Sequence, residues 1–190
     1  GVLRTGNLGQ TWSDVNTGLT DFLVTNLIGI GNTLYALTPS GVFTSGGESW
    51  TKINNPITGA SDLEGYQQFV LERASEPEDQ LEQILTAELD ANAIEAGSTP
   101  LVSLTELGGV LYGGTAGSGL WRYSAGNWAY VGLSGFSVIS LAADAGLGRL
   151  LVSACDPNGG CTVRGFKNGS FSDLNQGLSG LRTNQVLVRG

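Results

Sequence analysis

The carboxylates Asp14, Asp21, Asp144 and Asp173 are the residues from which hydrolytic chemistry could be assembled. Glycoside hydrolysis needs two carboxyl groups facing each other across a cleft, one as acid and the other as base or nucleophile. Asp14 and Asp173, however, fall at the same place in two repeated segments, which reads as structure. Arg4, Arg122 and Arg164 could gather around a substrate carboxylate, yet they too recur at one strand position. The chain has no histidine, so the commonest general base and metal ligand is missing. Cys155 and Cys161 are the only cysteines and bracket the turn residues 156–160. Across a hairpin they lie within reach of one disulfide, which implies an oxidising compartment. Two cysteines without histidine do not make a zinc site. No catalytic residue, metal or cofactor is assigned on these grounds.

The elements that must position these residues are short strands. Thirty glycines against five prolines, with an apolar fraction of 41%, fit many strands joined by tight turns. The stretch Thr5 to Trp12, Thr-Gly-Asn-Leu-Gly-Gln-Thr-Trp, reads as a turn between two of them, and weaker copies recur three times. The strands opening at Gly1, Gly41, Gly119 and Gly160 align, and Trp12, Trp50, Trp128 and Phe171 open the strand that follows each. Connectors echo as well: 16–20 in 175–179 and, shortened, in 132–134. Alternating runs at 24–30 and 33–38, 101–107 and 110–115, and 138–143 and 149–154 supply two further strands per unit, with Gly31-Asn32 and Gly108-Gly109 as hairpin turns. Four strands per roughly 40 residues is the pattern of a propeller blade. One such sheet has two apolar faces and needs neighbours to cover both.

These residues resemble the Asp-box (BNR) repeat β-propellers, whose repeat is shared by sialidases, xyloglucan-degrading enzymes, sortilin-type receptors and photosystem II assembly factors. The pattern Ser/Thr-x-Asp-x-Gly-x-Thr/Ser-Trp is met by Thr5, Gly9, Thr11 and Trp12, with Asn7 in the Asp position; Gly47, Ser49 and Trp50 keep its second half. The resemblance covers everything outside one insertion. It implies an all-β propeller of four-stranded antiparallel blades, here a fragment spanning 1–190. The outer two strands of one blade end at Asn16, three whole blades follow, and another blade begins near 186–188. In that repeat the polar turn residues Thr5, Asn7 and Thr11 bond local backbone, and the tryptophans pack between blades rather than stacking on sugars.

The insertion, 56–98, departs from the repeat. Between Asp62 and Glu95 it carries ten acidic residues and one basic residue, Arg73, while the net charge of the whole chain is −8. Ser75-Glu76-Pro77-Glu78 is a helix start, and Leu81, Ile84, Leu85 and Leu89 then share one face; Tyr66, Phe69 and Val70 form a shorter one. Because loops leaving a regular scaffold tend to carry function, Tyr66, Phe69, Leu81, Ile84, Leu85 and Leu89 are the expected partner contact. The acidic balance excludes a nucleic-acid footprint, and no apolar run is long enough to span a membrane. Asn168-Gly169-Ser170 fits a glycosylation acceptor but sits where a hairpin turn belongs. The resulting expectation is an extracellular, cell-surface or periplasmic binding or scaffold module, without activity of its own, for a protein or glycan partner. It could belong to a larger chain or assembly. The alternative is a fragment of an Asp-box glycoside hydrolase whose catalytic residues lie elsewhere.

Overall fold

A computed structural model of the chain describes residues 1–53, 99–178, 183 and 185–188. The expected helix and the six residues of the expected partner contact lie outside them. The described residues are all-β, in four antiparallel sheets. A two-stranded sheet pairs β1 (Leu3–Arg4) with β2 (Ser13–Asp14). The next sheet holds β3 (Asn26–Ile30), β4 (Thr33–Thr38), β5 (Gly41–Ser45) and β6 (Trp50–Ile53). After it come β7 (Leu101–Leu107), β8 (Val110–Thr115), β9 (Leu120–Ser124) and β10 (Asn127–Gly132). The last holds β11 (Ser137–Asp144), β12 (Arg149–Cys155), β13 (Cys161–Lys167) and β14 (Ser170–Asp173). Each four-stranded sheet is a meander in chain order, as the alternation and the turn residues require.

The turns are built by residues that tolerate a left-handed backbone. Asn168 and Gly169 both have positive φ (51° and 79°), the two-residue hairpin geometry that the right-handed strand twist favours. Asn168 is therefore an exposed turn residue.

Apolar residues gather between consecutive sheets. Ala36, Phe43 and Trp50 pack with Val2, Leu19 and Val15 of the segment before them. Leu37 and Val42 meet Leu101, Leu104 and Leu111. Leu120 meets Val138, Leu150 and Phe166. Polar links recur at one register position. Asn26, Ser103 and Ser140 occupy one register position, opposite Leu37, Gly114 and Ser153. Asn26 Nδ2 donates to Leu104 O (3.1 Å), and Ser103 Oγ donates to Val138 O (2.8 Å). Ser140 Oγ accepts from Val186 N (3.1 Å). Residues 186–188, expected to begin another blade, carry no strand pairing. Val186 nevertheless touches the third four-stranded sheet at the position where β7 and β11 touch theirs. Among the described residues no strand pairing joins one sheet to another.

Candidate functional site

The turn from Thr5 to Thr11 is closed by its own polar side chains. Thr5 Oγ1 accepts from Gly9 N (2.9 Å) and Asn7 Oδ1 accepts from Thr11 N (2.9 Å). Asn7 Nδ2 donates to Thr11 Oγ1 (2.9 Å). A carboxylate or an amide serves as acceptor here, which is why asparagine stands in an aspartate position without loss of the turn. All three side chains are committed to local bonds. In the weaker second copy Gly47 N donates to Ser45 Oγ (3.0 Å), while Ser49 is exposed.

The aromatic position of the repeat holds in register: Trp50 faces Ser45, Trp128 faces Tyr123 and Phe171 faces Phe166. Each ring packs towards the preceding sheet. Trp50 is 4% exposed and its Nε1 donates to Val15 O (2.6 Å). Trp128 joins the cluster shared with β4 and β5, and Phe171 lies against Gly132. Trp12 departs from the expectation of burial, since 60% of it is exposed. The reason is positional: among the described residues no apolar cluster packs on it as Val2 and Val15 pack with Trp50.

All four aspartates hold loops. Asp14 Oδ1 accepts from Asn16 N (2.9 Å) and Asp173 Oδ1 from Asn175 N (2.8 Å). The asparagines they position repeat the device, with Asn16 Oδ1 accepting from Val2 N (2.5 Å) and Asn175 Oδ1 from Val163 N (2.6 Å). Asp21 accepts from Leu23 N and Ser40 N, and Asp144 accepts from Leu147 N and pairs with Arg149 at 3.2 Å. Cys155 and Cys161 are directly opposite in the ladder and disulfide-bonded. They lengthen the β12–β13 hairpin, and this shifts the fourth repeat. Val42, Leu120 and Val163 share one register position, opposite Leu37, Gly114 and Ser153, so the place of Gly41 and Gly119 falls on Thr162, not Gly160. Arg164 is consequently the counterpart of Trp121 and Phe43. Arg4 and Arg122 remain equivalent to each other, with Thr44 and Gly165 in the same place.

An open groove of about 410 Å³ lies between the second and third four-stranded sheets. Leu107, Tyr112, Val131 and Phe166 supply apolar walls, and Tyr130, 50% exposed, stands at the rim. Arg122 and Lys167 reach it from opposite sheets, and no Asp or Glu is among the described residues that line it. Among the described residues neither cation forms an ion pair; Lys167 Nζ donates to Leu147 O (2.6 Å). Sequence reasoning missed this groove because its walls come from strands far apart in the chain. A signal does exist in the register. At the seam between the first two four-stranded sheets the counterparts of Arg122 and Lys167 are Thr44 and Ser124. The repeat itself therefore does not require either cation.

No family model and no curated protein matches the chain. A solved structure similar to it is the extracellular domain of a proposed one component system, BT4673, from B. thetaiotaomicron. The identity is 19% and the TM-score 0.50, over 86% of this chain. This chain spans 18% of that one, so the likeness concerns the fold alone.

Proposed function

We propose that the chain is part of an Asp-box-type β-propeller, secreted or displayed at a cell surface, that binds or scaffolds a partner and catalyses nothing by itself. The observation carrying this reading is the use made of Asp14, Asp21, Asp144 and Asp173. Each carboxylate accepts from local backbone amides, the repeat positions Asp14 and Asp173 in the same way. A carboxylate so occupied supports a turn and is poorly placed to serve as a hydrolytic acid or base. The propeller reading is supported by the meander sheets, by clusters lying between successive sheets, and by the polar link that recurs at Asn26, Ser103 and Ser140. An oxidising compartment is supported by the Cys155–Cys161 bond. No helix among the described residues is long and apolar enough to cross a membrane.

Hydrolysis assays on sialosides and β-glucans test the catalytic side. No turnover is expected, and turnover abolished by changing a single Asp or Glu would defeat the reading. Asp173→Ala, which removes the acceptor for Asn175 N, is expected to lower the urea midpoint, as a turn residue should.

A further inference from the structure

We infer that the groove between the second and third four-stranded sheets is a binding site for an extended peptide presenting a carboxylate beside an aromatic or aliphatic side chain. This rests on the reading of the chain as a binding module and gives that module a ligand. Both sheets that face the groove supply described residues to its walls.

The lining chemistry narrows the ligand. Arg122 is exposed and has no ion-pair partner among the described residues, so its guanidinium is available for a planar, bidentate carboxylate contact. Lys167 adds a second positive charge from the facing sheet, with one of its donors held by Leu147 O. With no Asp or Glu among the described lining residues, an incoming carboxylate meets no like charge from them. An exposed ion pair alone is worth little, so affinity requires an apolar body as well. Leu107, Val131 and the rings of Tyr112 and Phe166 provide a place for it. Tyr112 and Phe166 already meet edge to face (6.2 Å, 64°), and Tyr130 meets Trp121 in the same manner (5.4 Å, 64°). A saccharide fits this lining poorly. Its many hydroxyls need acceptors as well as donors, and the side-chain acceptors among the described lining residues are two phenols and Asn168. Two cations are also too few for a polyphosphate strand.

The test uses the whole chain and the peptide N-acetyl-Gly-Phe-Asp-Phe-Gly-amide, with its Asn analogue as the uncharged control. Trp121, in contact with Tyr130 at the rim, reports occupancy by fluorescence, and calorimetry measures affinity. The Asp peptide is expected to bind at least tenfold more tightly than the Asn peptide, and Arg122→Ala to weaken the Asp peptide by about tenfold or more. Lys167→Gln, which keeps a donor for Leu147 O, is expected to weaken it by a smaller factor. Raised salt should weaken binding too, because the groove is open. Circular dichroism and urea midpoints unchanged by Arg122→Ala would show that the variant remains folded. Equal affinity for the Asp and Asn peptides, or indifference to both substitutions, overturns the inference. So does phenylacetate binding as tightly as the peptide, which would mark a small-molecule site. Absence of peptide binding together with absence of glycoside turnover ends this inference alone; turnover dependent on one carboxylate ends the binding-module reading.

Discussion

Replacing Trp50 and Trp12 by alanine, in separate proteins, separates burial from repeat identity. The two residues hold the same place in the repeat, and a repeat-based expectation makes their substitutions equivalent. Their surroundings differ. Trp50 is 4% exposed, packs with Val2, Leu19, Ala36 and Phe43, and gives its indole N–H to Val15 O. Truncation removes nearly the whole ring from a packed seam, which costs roughly 3–5 kcal/mol. The carbonyl of Val15 also loses its donor, adding about 1 kcal/mol where water does not replace it. Trp12 keeps 60% of its surface in solvent, so at most about 2 kcal/mol of transfer free energy is at stake, from an aromatic area of about 200 Å² at 25 cal/mol per Å². Urea denaturation followed by circular dichroism compares the two, with an unchanged slope confirming that midpoint shifts report stability. Trp50→Ala should lower stability by at least 2 kcal/mol more than Trp12→Ala. Equal losses would refute the view that each aromatic is buried by the sheet before it.

Asn7→Asp should leave stability within about 0.5 kcal/mol, since its acceptor oxygen is retained, whereas Asn7→Ala should cost about 1 kcal/mol; urea midpoints distinguish them. Gly119→Ala should prevent ordered packing of β9, because φ is +79° and the added carbon would lie 2.3 Å from Gly132 O; retention of the wild-type thermal transition would contradict this. Mass analysis of an unreduced digest should recover Cys155 and Cys161 in one cross-linked species, and changing both to serine should cost about 2 kcal/mol for so short a loop. Burial, and then Tyr35, raise the pKa of Tyr123 above its ordinary value. The unfolded chain therefore releases this proton first. The contribution is whole below about pH 10 and is lost as pH rises through the folded-state pKa. Tyr123→Phe should reduce the alkaline loss of stability, and an unaltered alkaline limb would refute the assignment.

The strands were legible because each has an alternating run bounded by a turn that needs glycine or asparagine. The turns at Gly108-Gly109 and Asn168-Gly169 fix the register on either side of them. The structural role of Asp14 and Asp173 was legible because they fall at the same place in two repeated segments; the structure adds that each accepts from the asparagine two residues on. Three things depended on information absent from local sequence. The exposure of Trp12 depends on what lies before its sheet. The offset of the fourth repeat arises because Cys155 and Cys161 add a rung to one hairpin, so counting residues from the preceding glycine misplaces Arg164. The groove draws Arg122 and Lys167 from separate sheets, and only the finished register shows that neither stands where the repeat needs a cation.

The seams between sheets are made largely by side chains on facing strands, with short stretches of link such as Val15, Leu19, Leu133 and Phe136 packed beside them. Between β10 and β11 the link is only 133–136; between β6 and β7 it is roughly tenfold longer, yet β3 lies beside β7 as β7 lies beside β11. Closing a loop grows costlier only with the logarithm of its length, so that difference amounts to about 2 kcal/mol. A link of this kind is therefore nearly free to lengthen, shorten or change composition while the sheets on either side keep their stacking. Insertions should accumulate in inter-sheet links; within a sheet they are tolerated where a hairpin turn absorbs them, as between Cys155 and Cys161, and not inside a strand, where one added residue turns every following side chain to the opposite face.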